Sequence, residues 1–209
     1  MKIGVIDSGK GGEYVASVIA ERFNVETYIA PKIFYKSYSN MSMNELKREC
    51  NFQIEVLKNL EVNIIVVGCM TLSTNLLDYI KDISNVPVYD LYTNLEKFDE
   101  FTLLIGTFNT VNSGKFSEYH TIACPDIAPA IEDGYLALVQ GLLRGYEYRE
   151  RKVFPFNKVI LGCSHYSTCK NIFKDYYKNI TIIDPVDYLL ERLNEKIHDN
   201  VGVFSCSNY

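Results

Sequence analysis

The chain has 209 residues, 47% of them apolar, and a formal net charge of −5; this suffices for one large or two small globular domains with a sizeable core. The mild acidity and the lack of a basic stripe argue against nucleic acid, and no apolar run is long enough to cross a membrane. Six cysteines without a Cys-x-x-Cys spacing, and only three histidines, argue against a metal site and read as reduced thiols of a cytoplasmic protein. Met1 to Asp7 carries a short apolar run that meets an acid at once, which reads as a first strand over 2–6 and not as a signal peptide. A helix over 12–23 and a strand over 26–29 follow. Ser42 with Glu45 three residues on is the capping-box spacing, so it opens the longest helix, 42–60. Further strands fall at 63–68, 86–89, 102–106, 121–123, 158–162, 181–183 and 201–204. Helices are expected at 74–81, 113–118, 127–144, 167–177 and 187–197. Alternating strands and helices predict an α/β fold with mainly parallel sheets.

Two segments are alike. Ile64-Ile65-Val66-Val67 runs into Gly68-Cys69-Met70-Thr71, and Val159-Ile160-Leu161 runs into Gly162-Cys163-Ser164-His165. Each places a thiol just past the carboxyl end of a buried strand, the edge where open α/β sheets bind ligands. The segments starting at Ile3 and Leu104 are also alike, and a strand-Gly-Cys element follows each after about sixty residues. The expected architecture is two pseudo-symmetric α/β domains with mainly parallel sheets and a site in the cleft between them. Residues 1–92 with 186–209 form the first, and 93–185 the second.

Two thiols facing one carbon could invert it, one removing a proton and the other delivering one. A thiol serves both roles because its ordinary pKa, about 8.5, lies near neutrality. Asp7 and His165 are candidate proton partners of Cys69 and Cys163; the plainer readings are a turn residue and a helix cap. Asp7-Ser8-Gly9-Lys10-Gly11-Gly12 lacks the spacing of nucleotide-binding loops. Its acid favours a zwitterion over a phosphate, with Asp7 meeting the ammonium. Thr71, Ser73, Thr107, Asn109, Thr110 and Ser164 supply neutral donors around the same rim.

Together these motifs resemble the glutamate racemase family, within the cofactor-independent aspartate/glutamate racemases. Ile3 to Gly12 is similar to Ile-Gly-Val-Phe-Asp-Ser-Gly-x-Gly-Gly, and Thr107 to Ser113 to Thr-x-Gly-Thr-Val-x-Ser. Ala123-Cys124-Pro125 through Glu132-Asp133-Gly134 is similar to Ala-Cys-Pro…Val-Glu-Glu-Gly. Gly162 to Tyr166 is similar to Gly-Cys-Thr-His-Tyr, and Ile183-Asp184-Pro185 falls where the family has an Asp segment. The resemblance implies an isomerase without pyridoxal phosphate, metal or other cofactor, acting on L- and D-glutamate and feeding peptidoglycan synthesis. It implies Cys69 and Cys163 as the two bases, Asp7 assisting one, and His165 with Glu132 assisting the other. Ser8, Thr71, Thr107 and Ser164 would contact the amino acid, and Cys124 would be structural. A small-molecule amino acid is the expected partner, and a homodimer is the assembly family members often form. Two departures keep aspartate, another acidic substrate, or a non-catalytic ligand-binding role open. Met70 replaces the Asn of Cys-Asn-Thr, and Ala30 to Tyr38 lacks the Pro-Tyr-Gly segment that cradles the substrate carboxylate.

Overall fold

A computed structural model describes residues 1–150 and 155–202. Strands β1 (Lys2–Ile6), β2 (Glu26–Ile29), β3 (Ile64–Val67) and β4 (Val88–Asp90) form one parallel sheet in the order β2-β1-β3-β4. Strands β5 (Thr102–Gly106), β6 (His120–Ala123), β7 (Lys158–Gly162) and β8 (Thr181–Ile183) form a second in the order β6-β5-β7-β8. The two sheets thus repeat one topology, and all of their pairings are parallel.

Side-chain alternation along the strands assigns each face. Ile3, Val5, Ile64 and Val66 of the first sheet share one buried cluster with Leu104, Ile160 and Ile183 of the second. The intervening residues Ile6, Ile65 and Val67 pack against α2 (Met43–Asn59), while Leu103, Ile105, Val159 and Leu161 pack on the other outer side. Both faces of each central strand are therefore covered, which explains their unbroken apolar runs.

The helices run in chain order α1 (Lys10–Phe23), α2, α3 (Met70–Asn75), α4 (Leu77–Ile83), α5 (Phe108–Val111), α6 (Ile127–Glu132), α7 (Leu136–Glu150), α8 (Ser164–Thr168), α9 (Lys170–Tyr176) and α10 (Pro185–Gly202). The capping box forms: Glu45 N–H donates to Ser42 Oγ, and Ser42 N–H donates to Glu45 Oε2. Asp184 caps α10 by accepting from Val186 N–H, with Pro185 at the first helical position, where no N–H is needed. The buried residues Val186, Leu189 and Leu193 of α10 join the core shared by both sheets.

Five expectations are corrected. The helix over 127–144 is two helices, because Gly134 adopts φ +81° between them, a conformation in which glycine carries no steric penalty. The helices over 74–81 and 167–177 begin at Met70 and Ser164 and break at Leu76 and Cys169. The segment 113–118 is turns; the helix there is the short α5, and Phe116 folds inward to the shared core. The strand at 201–204 fails in its first half, since Val201 and Gly202 end α10, while 203 and 204 lie outside the described residues. Among the described residues no helix is long and apolar enough to cross a membrane.

Candidate active site

Cys69 follows β3 and precedes α3; Cys163 follows β7 and precedes α8. Equivalent strands of equivalent sheets thus present equivalent thiols. Both line one cavity of about 300 Å³ together with Asp7, Ser8, Thr71, Thr107, Glu132, Ser164 and His165. Every residue singled out from the sequence for catalysis or substrate contact lies on this wall. Of the other rim donors, Thr110 sits behind it, and Ser73 turns away to donate to Cys69 O and accept from Leu91 N–H. Cys124 is fully buried outside the cavity, and its carbonyl accepts from Tyr166 Oη.

Each sulfur has a titratable neighbour. Cys69 lines the cavity with Asp7, whose charge acts on the thiol. Asp7 Oδ1 accepts from Ser8 N–H at 2.6 Å, and Oδ2 accepts from Ser164 Oγ of the other half at 2.7 Å. Burial pushes Asp7 up to about 6, against the pull of His165 and these hydrogen bonds. Burial, reinforced by the Asp7 charge, pushes Cys69 well above an ordinary thiol despite N–H donors from Leu72 and Thr71. On the other side Cys163 Sγ stands 3.7 Å from His165 Nδ1, and His165 Nε2 donates to Glu132 Oε2 at 2.7 Å. Glu132 Oε2 also accepts from Lys10 N–H at 2.9 Å. Burial alone would lower His165, but Cys163, Asp7 and Glu132 outweigh it and raise the imidazole to about 9. The site therefore pairs each thiol with titratable groups, Asp7 held by Ser164 on the Cys69 side and His165 held by Glu132 on the Cys163 side. Each side is tied to the opposite half, one by Ser164 and the other by Lys10 N–H.

The glycine-rich turn before α1 is where the halves meet. A Cβ on Gly11 would lie 2.3 Å from Ser164 Oγ and 2.9 Å from His165 Nδ1, so only glycine lets α1 approach α8 this closely. Gly11→Ala is expected to push Ser164 and His165 out of register and lower turnover at least about tenfold, since small misplacements of reacting groups are costly. Turnover within twofold of the parent would show that the contact has slack.

Two buried hydroxyls close the floor, Thr71 and Thr107 Oγ1 3.0 Å apart, and Thr110 Oγ1 backs them at 3.0 Å from Thr107 and 3.3 Å from Thr71. Sequence reasoning missed the rest of the wall, namely Lys32, Tyr35, Ser37, Tyr38 and Ser39 between β2 and α2, with Ala128, Pro129 and Asp133 near α6. The departure in 30–38 was the available signal. Met70, the other departure, lies outside the cavity lining; its side chain is buried in the shared core beside Leu91 and Leu95.

Two like parallel sheets, each with a thiol past the strand (β3 or β7) that pairs with its central β1 or β5, make up a fold shared with solved amino-acid racemases. The structure superposes on glutamate racemase RacE1 of Bacillus anthracis with a TM-score of 0.81 at 23% identity, covering 95% of this chain and 82% of that one. For glutamate racemase of Aquifex pyrophilus the TM-score is 0.72 at 29% identity, with 93% and 83% covered. In sequence, glutamate racemase of Sulfurihydrogenibium sp. is 29% identical over 92% of this chain and 82% of its own length. No family model matches the chain. Fold and sequence together fit a divergent member of the glutamate racemase family.

Proposed function

We propose that the protein is a cofactor-independent amino-acid racemase that interconverts L- and D-glutamate, with Cys69 and Cys163 as its two acid/base groups. The observation that carries this reading is one cavity lined by two equivalent thiols together with Asp7 and His165. The substrate ammonium is assigned to Asp7, and the α-carboxylate to the hydroxyls of Thr71, Thr107, Ser8 and Ser164. One sulfur, as thiolate, takes the α-proton, and the other, as thiol, protonates the opposite face. Because its pKa is raised, Cys69 rests as the thiol. As the acid it gives its own proton to the carbon; to act as the base it first passes that proton to the nearby Asp7 carboxylate and takes the α-proton in its place. The His165 imidazolium stabilises negative charge on Cys163 and can return a proton to it, with Glu132 fixing the ring. Residues 1–92 with 186–209 are assigned to one domain and 93–185 to the other, an assignment supported by the ion pair of Arg192 with Asp90 at 3.5 Å.

Circular-dichroism polarimetry with L-glutamate and then D-glutamate, without added cofactor, tests the reading. Loss of optical activity from both directions supports it, and a flat trace with folded protein counts against it. The changed segment 30–38 on the cavity wall favours aspartate or another acidic amino acid as the second reading, which the same assay across substrates separates. The pH profile is a further test. Asp7 must be charged and His165 protonated, so kcat/KM is expected to fall below about 6 as Asp7 gains its proton and above about 9 as His165 loses its own. His165→Asn should erase the alkaline limb; a limb that persists unchanged assigns it elsewhere.

A further inference from the structure

The segment between β2 and α2 is unusually well anchored for a surface loop. Glu49 of α2, fully buried, spends its carboxylate on two loop N–H groups, Ile33 at 2.9 Å and Phe34 at 3.1 Å. Gln53, also fully buried, donates to Ala30 O and accepts from Tyr38 Oη, so it clamps both ends of the loop. Arg48 lies over the Phe34 ring, and Lys36 pairs with Glu45 at 2.6 Å. Buried polar side chains are costly unless they are satisfied. Here α2 carries two of them, and their described partners are this loop and the Tyr38 it contains. The anchoring fixes the backbone on both sides of Lys32.

Lys32 lines the cavity. Its Nζ reaches only the Lys36 carbonyl, at 3.4 Å, and lies 5.8 Å from the Tyr38 ring; among the described residues no carboxylate pairs with it. An ammonium has three donors, so it can still bind an anion. The rest of the charged lining is Asp7, Glu132 and Asp133, opposed by His165, which Cys163 and Glu132 already occupy. A dicarboxylic amino acid entering this acidic wall needs a fixed cation beyond His165. We propose that Lys32 binds the side-chain carboxylate of the substrate and so sets the preference for an acidic amino acid, an inference that rests on the racemase reading of the same cavity.

The test compares the parent protein, Lys32→Met and Lys32→Arg on glutamate and on glutamine, the latter followed as substrate or as inhibitor, with calorimetric titration of glutamate into each. Lys32 is exposed on the loop, so neither change threatens folding. The expected result is a rise of about 10- to 100-fold in KM for glutamate in Lys32→Met, the size of a charge-assisted hydrogen bond. kcat should stay within a few-fold, glutamine should be unaffected, and Lys32→Arg should recover most of the loss. An unchanged KM for glutamate in Lys32→Met overturns the proposal while leaving the racemase intact. If the parent exchanges no α-proton, the racemase reading fails and the titrations decide. Weaker glutamate binding to Lys32→Met sustains the carboxylate site; equal binding, or none to the parent, overturns it.

Discussion

Replacing Cys69 or Cys163 by alanine is expected to abolish inversion of the glutamate α-carbon while each variant still exchanges the α-proton of one enantiomer with solvent. The reason is geometric. The thiols belong to equivalent positions of two sheets and line one cavity, so in the proposed mechanism each serves one face of the carbon. With Cys69 gone, Cys163 with His165 and Glu132 can still remove a proton from its own face and return a deuteron to it. The configuration is retained because nothing protonates the opposite face. Cys163→Ala leaves the mirror situation, with Cys69 backed by Asp7. Inversion should fall by at least about 10²- to 10⁴-fold, the usual worth of a positioned acid/base group. Deuterium incorporation into L- and D-glutamate in D₂O, read by mass spectrometry beside polarimetry, checks this. Two variants that label opposite enantiomers support the two-thiol mechanism. Racemisation that survives in both single variants would sink it.

Much of this site was legible from local pattern. Apolar runs ending in Gly-Cys are strands buried on both faces, so their carboxyl ends could be placed before any contact was known. The Ser42 capping box announced α2 because both partners lie within one turn. What stayed hidden depends on chain remote in sequence. Lys32 belongs to the wall only because Glu49 and Gln53, two turns of a later helix, pin its loop. Asn109 reaches Tyr38 O and Met41 O across the cleft, a contact no local spacing encodes. Gly11 looked like part of a ligand loop, and the reason for its lack of a side chain is the approach of Ser164 and His165. The helix breaks at Leu76 and Cys169 also escape periodicity, since the apolar pattern continues across each kink.

Asp7→Asn is expected to make the protein more stable and nearly inactive. Burial raises Asp7 from 3.8 to about 6, so the folded chain holds this proton more tightly than the unfolded chain does. The charged carboxylate therefore opposes folding above about pH 6, and the penalty fades as pH falls from there toward 3.8. The shift corresponds to about 3 kcal/mol as an upper figure. Asparagine has the same shape and no charge. Its Oδ1 can keep the Ser8 N–H, and its amide can donate to Ser164 Oγ, whose hydroxyl turns to accept. A gain of about 1–3 kcal/mol at pH 8 is expected, which for a chain of this size is a rise of roughly 3–10 °C in Tm. The gain should shrink by pH 4, where the parent's Asp7 is itself neutral. Inversion should drop more than about 100-fold, because the amide can neither take the Cys69 proton nor balance the substrate ammonium. Thermal melts at both pH values beside the polarimetric assay distinguish the roles. A carboxylate kept only to hold the turn at Ser8 would give a less stable asparagine variant, with activity falling only as folding does. A more stable, inactive variant means that the fold bears the charge for the sake of the proton transfer it serves.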